Sequence, residues 1–158
     1  MPARTSRRMC VDETMKLRPA TSDDLERLYE IHREALGPYV RETWGWDEKH
    51  QSAEFRRRGA SASLQVVEED GEIAGFMEVD EQSDRLLLRT IELGPEFQRR
   101  GIGTALIQGL LARSWSTGRP VHLRVLRCNP ARRLYERLGF KVVRETETHV
   151  LMRTSRAG

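Results

Sequence analysis

The chain is poor in cysteine, in aromatic residues and in long apolar runs. Of its 158 residues, two are cysteines and 6% are aromatic. Cys10 and Cys128 cannot build a disulfide framework, which excludes the small cysteine-stapled secreted classes. The apolar runs, such as Arg85-Leu86-Leu87-Leu88-Arg89, are broken by charge. They fall far short of the roughly 18 residues of a membrane-spanning helix, so a membrane partner is not expected. His32, His50, His122 and His149 show no metal-ligand spacing, alone or with the cysteines, so no metal is expected. Most of the chain also lacks an excess of either charge. The net charge is +3, and the isoelectric point is about 9.2. The surplus lies in residues 1–18, where Arg4, Arg7, Arg8, Lys16 and Arg18 outnumber Asp12 and Glu13. A balanced remainder lacks the electrostatic footprint of a nucleic-acid binder, although a basic module confined to the leader stays open. Ser6-Arg7-Arg8 hints at a twin-arginine export signal. Asp12, Glu13 and Lys16 occupy the stretch where its apolar region should follow. A reducing cytoplasm is the expected compartment.

What is present reads as one globular unit: 38% hydrophobic residues, in clear periodic segments. Residues 1–14 show no packing pattern and are expected to be a disordered leader or an over-extended start, with residues 15–158 forming one domain. Met15 to Arg18 reads as a strand stopped by Pro19. Leu25, Leu28, Tyr29, Ile31, His32 and Ala35 share a helical face, which Gly37-Pro38 should end. Asp47 is placed to cap a second helix that reaches Arg58. Leu64 to Glu68 and Ile73 to Val79 flank Asp70-Gly71, a hairpin signature. A third strand spans Arg85 to Leu93, and Gly94-Pro95 breaks it. An apolar helix from Gly101 to Thr117 precedes a strand from Pro120 to Arg127. Asn129-Pro130 starts a helix that ends at Gly139, and Phe140–Arg144 and His149–Met152 close the chain as strands. The order β-α-α-β-β-β-α-β-α-β-β argues for a single α/β sandwich.

The most informative stretch is Gln98-Arg99-Arg100-Gly101-Ile102-Gly103-Thr104, between a strand and a helix. Glycines admit close backbone approach, and a helix start offers unpaired N–H groups at the positive end of its dipole. Together these make an anion seat suited to phosphate. The loop lacks the lysine of a Walker A sequence, and Leu106 stands where a dinucleotide fingerprint needs its third glycine. On the glycines alone, a helix start without any ligand is an equal reading.

This stretch resembles the acyl-CoA pyrophosphate loop of the GNAT superfamily of N-acetyltransferases. A second signature of that family follows at Asn129-Pro130-Ala131-Arg132-Arg133-Leu134-Tyr135-Glu136-Arg137-Leu138-Gly139-Phe140. The resemblance covers Met15 to about Arg153. It implies a mixed, mostly antiparallel sheet with a central splayed parallel pair, flanked by helices, and acetyl-CoA as cosubstrate. The strand ending at Ile91-Glu92-Leu93 would then splay from Val121–Arg127, with the backbone of Ile91 and Leu93 pairing with pantetheine amides. The backbone of Gln98, Arg99, Arg100, Gly101, Ile102, Gly103 and Thr104 would hold the pyrophosphate, and Asn129 the pantetheine arm. Tyr135 matches the usual general acid, a phenol able to supply a proton or hydrogen bond to the departing thiolate. Without the resemblance, Tyr135 reads as a packing residue beside Leu134 and Leu138. Glu92 is the first candidate for general base, with Glu78 on the neighbouring strand or an ordered water as alternatives.

The family's acceptor pocket comes largely from the segment between the first two helices, here Gly37 to Gln51. Tyr39, Trp44, Trp46 and Asp47 in it suit a cationic amine, since indole faces and nearby carboxylates attract ammonium. The two tryptophans also read as a packed hydrophobic lid. The expected activity is direct acetyl transfer from acetyl-CoA to a primary amine, and the rival is an acyl-CoA-binding sensor without chemistry. A homodimer is a further expectation, because dimers are common in the family.

Overall fold

The computed structural model describes residues 15–155. The expected leader, residues 1–14, lies outside the described residues. Among the described residues, seven strands form one sheet, and four α-helices cover it. In chain order they are β1 (Met15–Pro19), α1 (Leu25–Trp44), α2 (Glu48–Gly59), β2 (Leu64–Glu69), β3 (Glu72–Glu81), β4 (Leu86–Leu93), α3 (Ile102–Thr117), β5 (Val121–Leu126), α4 (Ala131–Arg137), β6 (Lys141–Glu145) and β7 (His149–Arg153). The sheet order is β1-β2-β3-β4-β5-β7-β6. Every neighbouring pair is antiparallel except β4 and β5, as the resemblance implies. No described helix is long and apolar enough to cross a membrane.

Local chemistry explains most boundaries. The β2–β3 turn uses Asp70 at φ 53° and Gly71 at φ 81°, two left-handed residues that match the twist of a hairpin. Asp47 caps α2 by accepting a hydrogen bond from the His50 N–H at 3.1 Å. Asn129 Oδ1 accepts from the Ala131 N–H at 2.9 Å, which caps α4.

One boundary differs from the sequence expectation. α1 does not stop at Gly37-Pro38 but runs on to Trp44, with Pro38 inside it. Proline removes one backbone hydrogen bond and crowds the preceding turn. Here the ring points to solvent, while Gly37 and Val40 on either side are buried, so packing of the last turns overrides the local penalty. The expected interhelical segment is therefore mostly helix, and only residues 45–47 link α1 to α2.

Two apolar clusters sandwich the sheet. On one side α3 and α4 contribute Ile102, Leu106, Ile107, Leu110 and Tyr135, packed on Leu86, Leu88, Val121 and Leu123. On the other, α1 and α2 contribute Leu28, Ile31 and Phe55, packed on Val66 and Phe76.

Candidate active site

The site begins with a fault in β4. Glu78 of β3 pairs with Thr90, but Val79 pairs with Leu88, so Arg89 is the extra residue of a β-bulge. A bulge shifts the alternation of side chains by one. Leu86 and Leu88 face α3 before the bulge, and Ile91 and Leu93 pack on that same cluster after it. Thr90 and Glu92 consequently turn to the α1 side. The bulge also ends the parallel ladder: β4 and β5 pair only through Leu86–Val121, Leu87–His122 and Leu88–Leu123. Beyond Leu88 the two strands part, although β4 continues to Leu93 and β5 to Leu126. Each leaves main-chain edge groups unpaired with the other, and such groups take a partner where one is available.

A cavity of about 760 Å³ occupies this opening and the adjoining face of the sheet. Ile91 and Glu92 reach it from β4, Arg124, Val125 and Leu126 from β5, Asn129 and Tyr135 from the start of α4 and its interior, and His149 from β7. Its outer part is walled by Glu54, Arg57 and Arg58 of α2, Ser61, Ser63, and Glu78 and Asp80 of β3.

Two carboxylates in the cavity wall are buried. Glu92 is 5% exposed and Glu78 is 6% exposed. Glu92 Oε1 lies 2.8 Å from His32 Nδ1, and its Oε2 accepts from the Thr90 hydroxyl at 2.6 Å. Glu78 Oε2 accepts from the hydroxyls of Ser61 and Ser63, both at 3.0 Å. Neither carboxylate has an arginine or lysine within ion-pair distance among the described residues. Two other pairs of charges in the wall are matched: Arg57 with Glu54, and Arg89 with Asp80 at 3.1 Å. Burial, reinforced by the negative charge of Glu92, pushes the Tyr135 phenol up to about 12. Burial and Arg124 push the His149 imidazole below its ordinary value.

The glycine loop sits at the end of β4. Gly101 adopts φ 82° and Arg99 φ 62°, so the chain turns sharply before α3. The Gln98 side chain donates to the Leu93 carbonyl at 2.9 Å and ties the loop to the strand. Arg100 is drawn back towards the fold, 5.4 Å over the Phe97 ring and 4.0 Å from Glu69, while Arg99 is exposed. A Cβ on Gly103 would meet only Leu93 Cδ1, at 3.8 Å, an ordinary contact. Packing within the chain therefore does not require glycine there. Instead the bare backbone leaves an open seat at a 16-residue helix start, which fits a phosphate.

The model of the acetyltransferase (GNAT) family matches residues 25–140. The chain belongs to the GNAT acetyltransferase family. No curated protein matches it. Among solved structures, the PaiA N-acetyltransferase of Thermoplasma acidophilum, in complex with coenzyme A, is similar over 90% of this chain and 99% of its own, with a TM-score of 0.72 and 21% identity. The ribosomal-protein-S18-alanine N-acetyltransferase of Escherichia coli is similar over 91% of this chain and 95% of its own, with a TM-score of 0.65 and 22% identity. Naa50 of Arabidopsis thaliana, in complex with the bisubstrate analogue CoA-Ac-MVNAL, is similar over 90% and 99%, with a TM-score of 0.62 and 14% identity.

In this GNAT chain the residues expected from sequence separate into three places. Ile91, Glu92, Asn129 and Tyr135 line the cavity together. Leu93 ends β4, and Gln98 to Thr104 form the loop and α3 start that follow it; none of these lines the cavity. Tyr39, Trp44, Trp46 and Asp47 do not line it. Asp47 is the α2 cap, and Trp46 donates to Glu48 at 2.9 Å and lies 5.9 Å from the His32 ring. Trp44 is 60% exposed, 5.8 Å from the His149 ring, and the Tyr39 carbonyl accepts from the Thr43 hydroxyl at 2.8 Å. The outer cavity wall instead comes from the end of α2, the serines after it and β3. The sequence signal for His32 was a lone imidazole in the apolar stripe of α1. Glu92 is not the solvated strand charge that a bare sequence reading allows.

Proposed function

We propose that this GNAT chain transfers the acetyl group of acetyl-CoA to a primary amine by direct attack, with both substrates bound together. The observation that carries the reading is one cavity that joins a buried carboxylate, Glu92, to a buried phenol, Tyr135, across the opening between β4 and β5.

In this reading the N–H groups from Arg99 to Thr104 hold the pyrophosphate at the α3 N-terminus. The pantetheine arm lies between the parted strands. There the backbone of Ile91 and Leu93 pairs with its amides as a strand edge would, and the Asn129 amide N–H₂, whose carbonyl oxygen is taken by the cap, reaches it from the other side. The acceptor enters from the α2 side as an ammonium. Glu92 takes one proton, directly or through a water, and frees the nitrogen lone pair. The nitrogen attacks the thioester carbon and a C–N bond forms; the adduct's nitrogen loses its second proton to solvent, from which the Tyr135 phenol is restored, and the tetrahedral adduct collapses with cleavage of the C–S bond. The Tyr135 hydroxyl supplies a proton or a hydrogen bond to the departing sulfur. With its pKa pushed up to about 12, well above neutrality, the phenol carries its proton. The products are an N-substituted acetamide and CoA. Glu78 is the second carboxylate able to take the ammonium proton, and its two serine bonds leave Oε1 open.

The test is thiol release from acetyl-CoA with a panel of primary amines: alkylamines, diamines, aminosugars and peptides with free N-termini. At least one should raise thiol release well above the rate without amine and appear acetylated by mass spectrometry. Tight CoA binding with no amine acetylated would favour the sensor reading.

A further inference from the structure

We propose that His32 is a positioning residue for the reaction, holding the Glu92 carboxylate from behind in the orientation that accepts the acceptor's proton; this rests on the acetyl-transfer reading above. Glu92 lines the cavity and His32 does not, so His32 acts only through Glu92. Their side chains are each 4% exposed and 60 residues apart in sequence.

The pairing is unlike a packing solution. His32 interrupts an aliphatic stripe of α1, between Leu28 and Leu36 at helical spacing. A buried polar pair contributes less to stability than an apolar pair of the same shape. The position therefore carries a polar group where α1 passes behind Glu92.

The geometry supplies the function. Glu92 has three side-chain torsions, and a base that samples several rotamers spends little time within reach of the proton. Here Oε1 accepts from His32 Nδ1–H and Oε2 accepts from the Thr90 hydroxyl, so each oxygen keeps a lone pair for the substrate while the group is fixed at both corners. The imidazole is itself immobilised by the rings of Phe55 at 5.3 Å, Trp46 at 5.9 Å and Tyr29 at 6.2 Å. The carboxylate accepts, so Nδ1 carries the proton and the tautomer is set.

Two measurements test this on the full chain. In kinetics with the best amine of the panel, His32→Leu should lower kcat by about 10–100-fold, the scale of a misplaced catalytic group. The KM for acetyl-CoA should stay within about twofold of the original protein. His32→Asn, which keeps an N–H near the Nδ1 position, should recover most of the loss. In a Glu92→Gln background, His32→Leu should add little. A wild-type kcat for His32→Leu, or an equal loss in the Glu92→Gln background, would overturn the proposal. Independently of activity, nitrogen NMR of the labelled protein should show His32 protonated at Nδ1. A neutral Nε2–H tautomer would overturn the proposal even if amines are acetylated. The Nδ1–H signature without acetylation of any amine would remove the reaction, and His32's role in it, while leaving the pair itself intact.

Discussion

Tyr135 and Glu92 face one cavity from the two strands that part: Glu92 stands on β4, and Tyr135 on the helix that follows β5. The carboxylate charge adds to burial in raising the phenol pKa to about 12. A phenol free in an unfolded chain titrates near 10. The folded state thus binds the proton more tightly, which favours folding fully below pH 10 and less as pH rises towards 12. The protein should lose stability over that span, and Tyr135→Phe should lose less. Urea unfolding midpoints across the range measure the difference.

Gly103 should matter to the ligand and not to the fold. Its missing Cβ faces open space apart from Leu93 at 3.8 Å. Gly103→Val should change the thermal midpoint of the protein alone by little, yet abolish the stabilisation given by CoA. Retained stabilisation would remove the loop from the cofactor site.

Gly75 is the opposite case. A Cβ there would lie 2.0 Å from the Glu92 carbonyl oxygen and 2.9 Å from Leu93 Cα, both backbone atoms. Gly75→Ala must push β4 away from β3 at the residues that carry the candidate base. Overpacking of this kind costs about 1–3 kcal/mol, occasionally more. Urea unfolding should show that loss, and activity should fall with it.

Asp24 ties β1 to the start of α1. Its carboxylate accepts both terminal N–H groups of Arg18 at 2.9 Å, and the Thr21 N–H at 2.7 Å, which holds its pKa well below the usual carboxylate range. The stability so gained is present above the unfolded value near 4 and lost as pH falls towards the lower folded value. Asp24→Asn should cost about 1–3 kcal/mol at neutral pH, since Arg18 keeps Glu68 at 2.8 Å. It should also flatten the decline of stability below pH 4.

Much of this architecture was legible because local signals agreed with the fold. Asp70-Gly71, Asp47 and Asn129-Pro130 each mark a turn or cap that forms where the residue chemistry requires it. The length of α1 was not legible, because burial of Gly37 and Val40 outweighs the break that Gly37-Pro38 signals. The cavity wall was only partly legible. Glu78, Ser61 and Ser63 meet through β3 and the loop after α2, a juxtaposition that depends on sheet register and leaves no local pattern. The bulge at Arg89 is likewise invisible in a run of leucines, yet it decides which way Glu92 points.

The central claim is that a phenol and a carboxylate on opposite sides of the strand opening carry out acetyl transfer. Tyr135→Phe tests it most directly, because the ring and its T-shaped contact with Phe140 at 5.6 Å stay while the proton donor goes. The measurement is single-turnover acetyl transfer, with CoA binding followed by calorimetry on the same protein. The account predicts unchanged CoA affinity and a transfer step slower by about 10²–10⁴-fold, the usual cost of losing a general acid. A single-turnover rate equal to that of the original protein, with normal CoA binding, would contradict it and leave Tyr135 as a packing residue.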